Sequence, residues 1–194
     1  MTGEDTIVSM FPAGSAATTN GLLSTALDVG ARMHVLPKFD ATTFTEFMRS
    51  VDATIFYGAP AHLALWRQGE PDATPTARAY VVIGQAPSGV DVEWFLERRG
   101  SARLINAYGL TETCAGIMVG VDGDVAAGVL RPLAGVEVRL VEAAAGDAST
   151  DGELLMRSFG MMEATLSART SRRRRSARDG CTRATSSNAG VRDT

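Results

Sequence analysis

Lysine is almost missing from this chain: Lys38 is the only one among 194 residues, and it sits in a strand-to-helix turn beside Pro37, so no catalytic ammonium is assigned. Cysteine is nearly as scarce. Cys114 and Cys181 lie far apart with no metal-ligand spacing, which excludes a disulfide framework and a zinc site and fits a reducing compartment. The two histidines, His34 and His62, have no serine or cysteine arranged beside them for nucleophilic catalysis. His34, in an apolar strand, reads as a core or surface histidine. No apolar run approaches the ~18 residues that cross a bilayer. The acidic start, Met1 to Asp5, lacks the basic and apolar regions of a secretory signal, so the reading is a cytoplasmic protein.

What is present divides in two. The hydrophobic fraction of 45% is ordinary for a globular domain, and the net charge of -3 conceals an uneven distribution. Up to Thr165 there are 11 Lys+Arg against 20 Asp+Glu, whereas Leu166 to Thr194 holds 8 Arg against Asp179 and Asp193. Residues 164–194, with the run Arg172 to Arg175, contain hardly any large apolar side chain. Such a segment cannot bury enough surface to offset its ordering entropy, and disorder is expected there. No aromatic follows Phe159, so base stacking is not on offer and nucleic acid is not an expected partner.

Along the body, strands and helices alternate. Thr6–Phe11 reads as a strand closed by Pro12, and Ala17–Val29 as a helix stopped by Gly30. Arg32–Leu36 reads as a second strand. A helix capped by Asp40 then runs through Ser50, with Phe44, Phe47, Met48 and Val51 on one stripe. Ala53–Tyr57 is β-rich and runs into Gly58-Ala-Pro60, with a short helix over Ala61–Trp66. Ala79–Ile83 is a strand leading to Gly84-Gln-Ala-Pro87, and Ser88 with Asp91 forms a capping box for a helix ending at Arg99-Gly100. This alternation predicts a parallel sheet covered by helices, over residues 1–116. Beyond it, Ile117–Val119, Val136–Val141 and Glu153–Arg157 read as strands without intervening helices. They predict a small β-rich, partly barrel-like unit over 117–163, with a loose surface hairpin at Glu142–Gly152.

The stretch Leu104-Ile-Asn-Ala-Tyr-Gly-Leu-Thr-Glu-Thr113 carries the most chemistry. A β-run stops there at a loop where Gly109 permits a turn, leaving a ring, a hydroxyl and a carboxylate within a few residues. A ring to stack on, a donor for phosphate and an acid for Mg²⁺ together suit a nucleotide. Taken without further context, the same residues also describe a strand-to-loop turn with a buried tyrosine and a helix-capping Thr-Glu pair.

Asn106-Ala-Tyr-Gly-Leu-Thr-Glu-Thr113 resembles the signature loop of the adenylate-forming superfamily, the AMP-forming acyl-CoA and fatty-acid-CoA ligases and their relatives. Three further segments are similar to that family in order and spacing: Ala79–Ser88, Ala127–Leu140 and Gly152–Met162. The resemblance implies the α/β fold of part of the family's large N-terminal domain: a parallel sheet with flanking helices, then a small β-rich unit and the disordered tail. It implies nucleotide binding by Gly84, Gln85, Ala86, Asn106, Ala107, Tyr108, Gly109 and Thr111. Thr111 and Glu112 would serve catalysis, with Glu112 the metal ligand. ATP or AMP, Mg²⁺ and CoA are the implied cofactors, and a small carboxylic acid is the implied substrate. Family members line the acyl pocket from the strand end that here precedes His62.

Departures accompany the likeness. Phe11-Pro12 stands where many members have Phe-His, and Gln85 replaces the second glycine of the adenine wall. The phosphate-clamping loop, the ribose loop, the hinge and the C-terminal domain with its adenylation lysine have no counterpart here. The expectation is a truncated acid-CoA ligase whose reading frame shifts after Met162, inactive alone and able to associate with another chain. The alternatives are a non-catalytic nucleotide- or acyl-binding module and a basic-tailed interaction protein. With no stacking aromatic in the tail, a chain cut at Thr165 and the full chain should show equal retention on immobilised RNA across a salt series. Salt-sensitive retention by the full chain alone would contradict this.

Overall fold

The computed structural model describes residues 1–141 and 152–163, and the backbone of 182–184. A seven-stranded sheet carries the body. Its strands are β1 (Thr6–Ser9), β2 (Arg32–Val35), β3 (Ile55–Gly58), β4 (Ala79–Ile83), β5 (Arg103–Leu110), β6 (Ala115–Val121) and β7 (Arg131–Pro132). They are ordered β2-β1-β3-β4-β5-β6-β7. The first five pair in parallel, and β6 and β7 join antiparallel. A second, three-stranded antiparallel sheet holds β8 (Glu137–Val141), β9 (Glu153–Arg157) and β10 (Thr182–Ala184), in the order β10-β9-β8.

Side chains alternate across the parallel strands and so divide the core. Val8, Phe56, Tyr80, Val82 and Leu104 face a first cluster with Phe44, Met48, Trp66 and Phe95. These last four come from α3 (Phe44–Ser50), α4 (Pro60–Gly69) and α5 (Gly89–Arg98). Ile7, Ile55, Tyr57, Ala79, Ile83 and Ala107 face a second cluster with Leu22 and Ala26. Those two belong to a helical stretch made of α1 (Ala16–Thr18), a π-helical turn Thr19–Leu23, and α2 (Ser24–Val29). Gly30, at φ 74, ends that stretch, as its freedom for positive φ allows. The Trp66 ring stacks on Tyr80 at 5.3 Å and meets Trp94 edge-on at 5.1 Å. Three elements are thereby locked by ring contacts beyond area burial alone.

Several local readings sharpen. Ser88 accepts the Asp91 N–H at 3.2 Å and donates to Asp91 Oδ2 at 2.5 Å, while Asp91 Oδ1 holds Arg67 Nε at 2.7 Å. The cap of α5 thus also ties it to α4. Asp40 instead closes a turn, accepting from the Thr42 N–H and hydroxyl at 2.9 and 2.8 Å, and α3 starts only at Phe44. The strand around Ile117 extends to Ala115–Val121 and pairs with β5, so it continues the main sheet rather than opening the β-rich unit. One helical turn, α6 (Gly123–Ala126), follows it where only strands and turns were expected. It is anchored by Asp122, which accepts the Leu104 N–H at 2.9 Å and pairs with Arg99 and Arg103. The expected hairpin at 142–151 and most of the basic tail lie outside the described residues. Within that tail, Thr182–Ala184 form a strand paired antiparallel with β9.

At the opposite edge of the sheet from the signature, Asp5 is 4% exposed and joins the starts of three strands. It accepts from Arg78 Nη2 at 2.8 and 3.0 Å, from the Thr54 hydroxyl at 2.6 Å and from the Thr2 N–H at 2.8 Å. Burial alone would push this carboxyl up. The hydrogen bonds from Arg78, Thr54 and Thr2 and the Arg78 charge outweigh it, holding the group well below the usual carboxylate range. Asp5→Asn should therefore cost about 2 kcal/mol near neutral pH. A depressed folded pKa contributes stability that is full above the unfolded value of about 3.9 and is lost progressively as the pH falls below that value toward the folded one. The gap between wild type and variant in denaturant unfolding should be flat near neutrality and shrink below about pH 4. A gap that persists undiminished in acid would contradict the assignment.

Candidate functional site

Parallel pairing sets two strand ends abreast. Val82 lies opposite Asn106 and Ile83 opposite Ala107, so the loop after β4 and the end of β5 emerge side by side at the carboxyl edge of the sheet. Ligands of open α/β sheets bind at such an edge. In the β4 loop, Gly84 has φ +110, and a Cβ built there would meet nothing within 4 Å. Glycine is therefore required by the backbone, and the space above it is open. Gln85 and Ala86 are exposed beside it.

On β5, Asn106 and Tyr108 share the face of Leu104, and Ala107 and Gly109 the other. Asn106 is 8% exposed, and its Oδ1 has no hydrogen-bond partner. An unpaired buried carbonyl oxygen costs on the order of 1–3 kcal/mol and calls for an explanation. Tyr108 is half-buried against Ile117, Met118, Leu130 and Met156, and burial pushes its phenol above the usual range. The β5–β6 register slips between Tyr108 and Gly109. This bulge brings the successive residues Ile117 and Met118 into one cluster behind the Tyr108 ring.

Past Leu110 the chain makes a single 3₁₀ turn, Thr111–Thr113. The Thr113 hydroxyl accepts the Leu110 N–H at 2.9 Å and donates to the Leu110 carbonyl at 3.0 Å. Cys114, at φ 64, closes the turn, its N–H donating to the Thr111 carbonyl at 3.2 Å. Thr113 is thus consumed by the turn, while Thr111 is exposed and Glu112 half-buried. The Met162 N–H donates to the Glu112 carbonyl at 2.9 Å, so the segment after β9 braces the turn from behind. Cys114 is an exposed free thiol, and Cys181 lies outside the described residues.

The β4–β5 pairing sets the Gly84–Ala86 loop beside the end of β5, where Asn106 and Tyr108 share one face and Ala107 and Gly109 the other, with Thr111 and Glu112 on the turn that follows. Ala107 points away, into the second cluster. Among the described residues no group of three or more His, Cys, Asp and Glu side chains could hold a metal ion by itself. Glu112 would contribute one carboxylate. That fits Mg²⁺, which is usually bound through one or two carboxylates together with substrate phosphates.

The neighbouring edge includes the strand end before His62, which the resemblance pointed to as a wall of the acyl pocket. Strand order 2-1-3-4-5 reverses direction between β1 and β3, which makes a crevice at their carboxyl ends. There Phe11 stands edge-on to Tyr57 at 5.7 Å. The Ala59 N–H donates to His62 Nδ1 at 2.9 Å, leaving the ring proton on Nε2, and burial pulls the imidazole below its usual value. A Cβ on Gly58 would lie 2.9 Å from that same Nδ1. His34, by contrast, is a half-buried edge-strand residue meeting Phe47 at 6.4 Å. A separate shallow hollow of about 390 Å³, lined by Thr45, Glu46, Arg49, Glu70 and Asp72 among others, lies away from the carboxyl edge. Its Glu70 is spent on holding Thr45 and Trp66.

A family model described as "AMP-binding enzyme" matches residues 1–164. No curated protein sequence matches the chain. Among solved structures, the chain is similar to a long-chain-fatty-acid-CoA ligase (FadD1) from Archaeoglobus fulgidus, at 18% identity and TM-score 0.72, covering 84% of this chain and 36% of that one. A benzoate CoA ligase from Burkholderia xenovorans LB400 is similar at 22% identity and TM-score 0.77, covering 87% and 36%. O-succinylbenzoate Coenzyme A synthetase (MenE) from Bacillus subtilis, in complex with AMP, is similar at 18% identity and TM-score 0.79, covering 93% and 38%. The same synthetase is also known with ATP and magnesium ion, similar at TM-score 0.73 and 16% identity, covering 84% of this chain and 35% of that one. The chain spans little more than a third of the length of these structural relatives.

The unpaired Asn106 oxygen yields a prediction that separates a ligand-holding residue from a structural one. Replacing it by leucine should leave the thermal midpoint unchanged or raise it, because an unsatisfied polar atom is removed. A clear fall in the midpoint would mean that the carboxamide supports the fold.

Proposed function

Because the chain belongs to the AMP-binding enzyme family, we propose that it carries the adenylate-holding part of an acid-CoA ligase of the acyl- or aryl-CoA type. The observation that carries this reading is the buried, unpartnered Asn106 Oδ1 on the same rim as the open Gly84 backbone and the Tyr108 ring. A purine would be held there with Tyr108 packed on its face and the Asn106 oxygen accepting from an exocyclic amine at its edge. Gln85, exposed on the facing loop, adds a second carboxamide beside the base. Thr111 presents its hydroxyl to the phosphate, and Glu112 holds Mg²⁺. When bound, that ion neutralises charge developing on the phosphate oxygens.

The reaction this supports is attack of a carboxylate on the α-phosphorus of ATP, breaking the bond to pyrophosphate and forming an acyl-adenylate. The CoA thiol then attacks the acyl carbon, AMP leaves, and a thioester remains. Positioned donors at Thr111 and its turn would steady the developing charge. A cytoplasmic setting follows from these substrates. No described helix is long and apolar enough to cross a membrane.

Turnover by this chain alone should be slight. Lys38 lies on the connection after β2, four strands from β5 in the sheet order, which is roughly 19 Å at the usual strand spacing. It cannot reach the phosphate. Titration calorimetry should detect weak AMP binding that Tyr108→Ala reduces about tenfold, consistent with base–aromatic stacking of 1–3 kcal/mol. Pyrophosphate release from ATP with a panel of carboxylic acids should stay near background. Identical isotherms for wild type and Tyr108→Ala would remove the tyrosine from the site, and robust turnover would overturn the expected inactivity.

A further inference from the structure

Asp91, on the first turn of α5, is a carboxylate with only 5% of its surface exposed. A buried carboxylate persists where its oxygens are met. Both are met here: Oδ2 accepts the Ser88 hydroxyl at 2.5 Å, and Oδ1 accepts Arg67 Nε at 2.7 Å. Ser88 in turn accepts the Asp91 N–H at 3.2 Å, as the N-cap of the helix. Ser88 and Asp91 complete that cap between them. The guanidinium is an addition from a different helix, and its effect lies beyond the cap.

Arg67 stands in the last turn of α4. Side chains on a helix tilt toward its N-terminus, so Arg67 reaches back toward the carboxyl edge of the sheet, where α5 begins. Its side chain is 30% exposed and that of Asp91 7%, so the bond is shielded on its acidic side. Trp66 already meets Trp94 edge-on at 5.1 Å and holds the two helices in contact. Apolar packing is not directional, whereas a charge-assisted hydrogen bond fixes how far one helix has slid along the other. The start of α5 matters because residues 84–88 are the whole connection from β4. One end of that connection is held by the pairing of Val82 and Ile83 with β5, and the other by the cap. Pro87 removes a further degree of freedom between them. If the α5 end is released, Gly84, at φ +110, is left as a pivot.

Resting on the ligase reading above, we propose that Arg67 is a positioning residue for the nucleotide. Acting through Asp91 and Ser88, it sets the start of α5 and so holds the loop of Gly84, Gln85 and Ala86 against the end of β5 that carries Asn106 and Tyr108. Arg67 touches no ligand itself. A wall already in place spares the ordering cost of binding. Loss of Arg67 therefore weakens nucleotide binding without removing any contact to the nucleotide. Lysine restores the charge but not the side-on Nε donor, and replaces the guanidinium only in part.

The test combines titration calorimetry with AMP and amide hydrogen exchange of the ligand-free full chain, on wild type, Arg67→Met, Arg67→Lys and Asp5→Asn. Asp5→Asn weakens the fold from the opposite edge of the sheet and controls for destabilisation alone. Arg67→Met should bind AMP about fivefold more weakly, the ordering cost of about one freed side chain. Its exchange should quicken in 84–88 and stay at the wild-type rate in 106–113. Arg67→Lys should show a smaller loss of about twofold, and it carries the test if circular dichroism finds Arg67→Met unfolded. Asp5→Asn should match wild type in AMP affinity and in exchange at 84–88. Wild-type affinity in the Arg67 variants, or an equal loss in Asp5→Asn, would overturn the proposal. If wild type binds no AMP, the nucleotide reading falls and exchange decides alone: quickening confined to 84–88 upholds Arg67 as the residue that positions the loop, and uniform or absent quickening removes it.

Discussion

In-register parallel pairing of β4 with β5 is the constraint on which the candidate site rests. With Val82 opposite Asn106 and Ile83 opposite Ala107, the two strands must end together. The Gly84 loop and the Tyr108 rim then face each other without either loop having to reach. A slip of one residue would turn Asn106 and Tyr108 to the other face and put Ala107 in their place. The register is held because both faces are buried: Leu104, Tyr80 and Val82 are fully buried on one side, and Ala79, Ile83 and Ala107 nearly so on the other. A slip would carry Asn106 into an apolar cluster with no room for a ligand to satisfy it.

The rest of the chain sets the two ends of the sheet to different tasks. At the amino edge, Asp5 with Arg78 and Asp122 with Arg99 and Arg103 tie strand starts together through charge-assisted bonds. These are structural devices whose donors and acceptors are satisfied. At the carboxyl edge the polar groups are left open: Asn106 Oδ1 and the exposed Thr111. Concentrating unmet hydrogen-bonding capacity at one edge costs stability, and it is the signature expected of a surface that completes itself with a ligand. Phe44, Trp66, Tyr80 and Phe95, packed in the first cluster, offset that cost.

Much of this arrangement could be read from the residues alone. Ala79–Ile83 and Glu153–Arg157 are strands over the ranges expected, because their apolar content and flanking turn residues leave little choice. Ser88-Gly-Val-Asp91 predicted a cap that forms as expected. The allegiance of β6 was not legible, since a two-residue alternation reads the same whichever sheet the strand joins. Its pairing with β5 is decided by the tight turn at Thr111–Thr113. Asp40 illustrates another gap: a side chain able to cap a helix can equally close a turn, and Thr42, two residues on, wins it. The site was legible as a set of residue types on one loop, but the unpartnered state of Asn106 depends on neighbours from β4 and β6. No single stretch contains that information.

Amide hydrogen exchange with and without AMP tests the central claim most directly, because it reports both halves of the rim without altering any residue. The account predicts that AMP slows exchange in 84–88 and 106–113 together, with little change around Thr45, Arg49 and Asp72. Protection at that hollow instead, or at only one of the two loops, would contradict it.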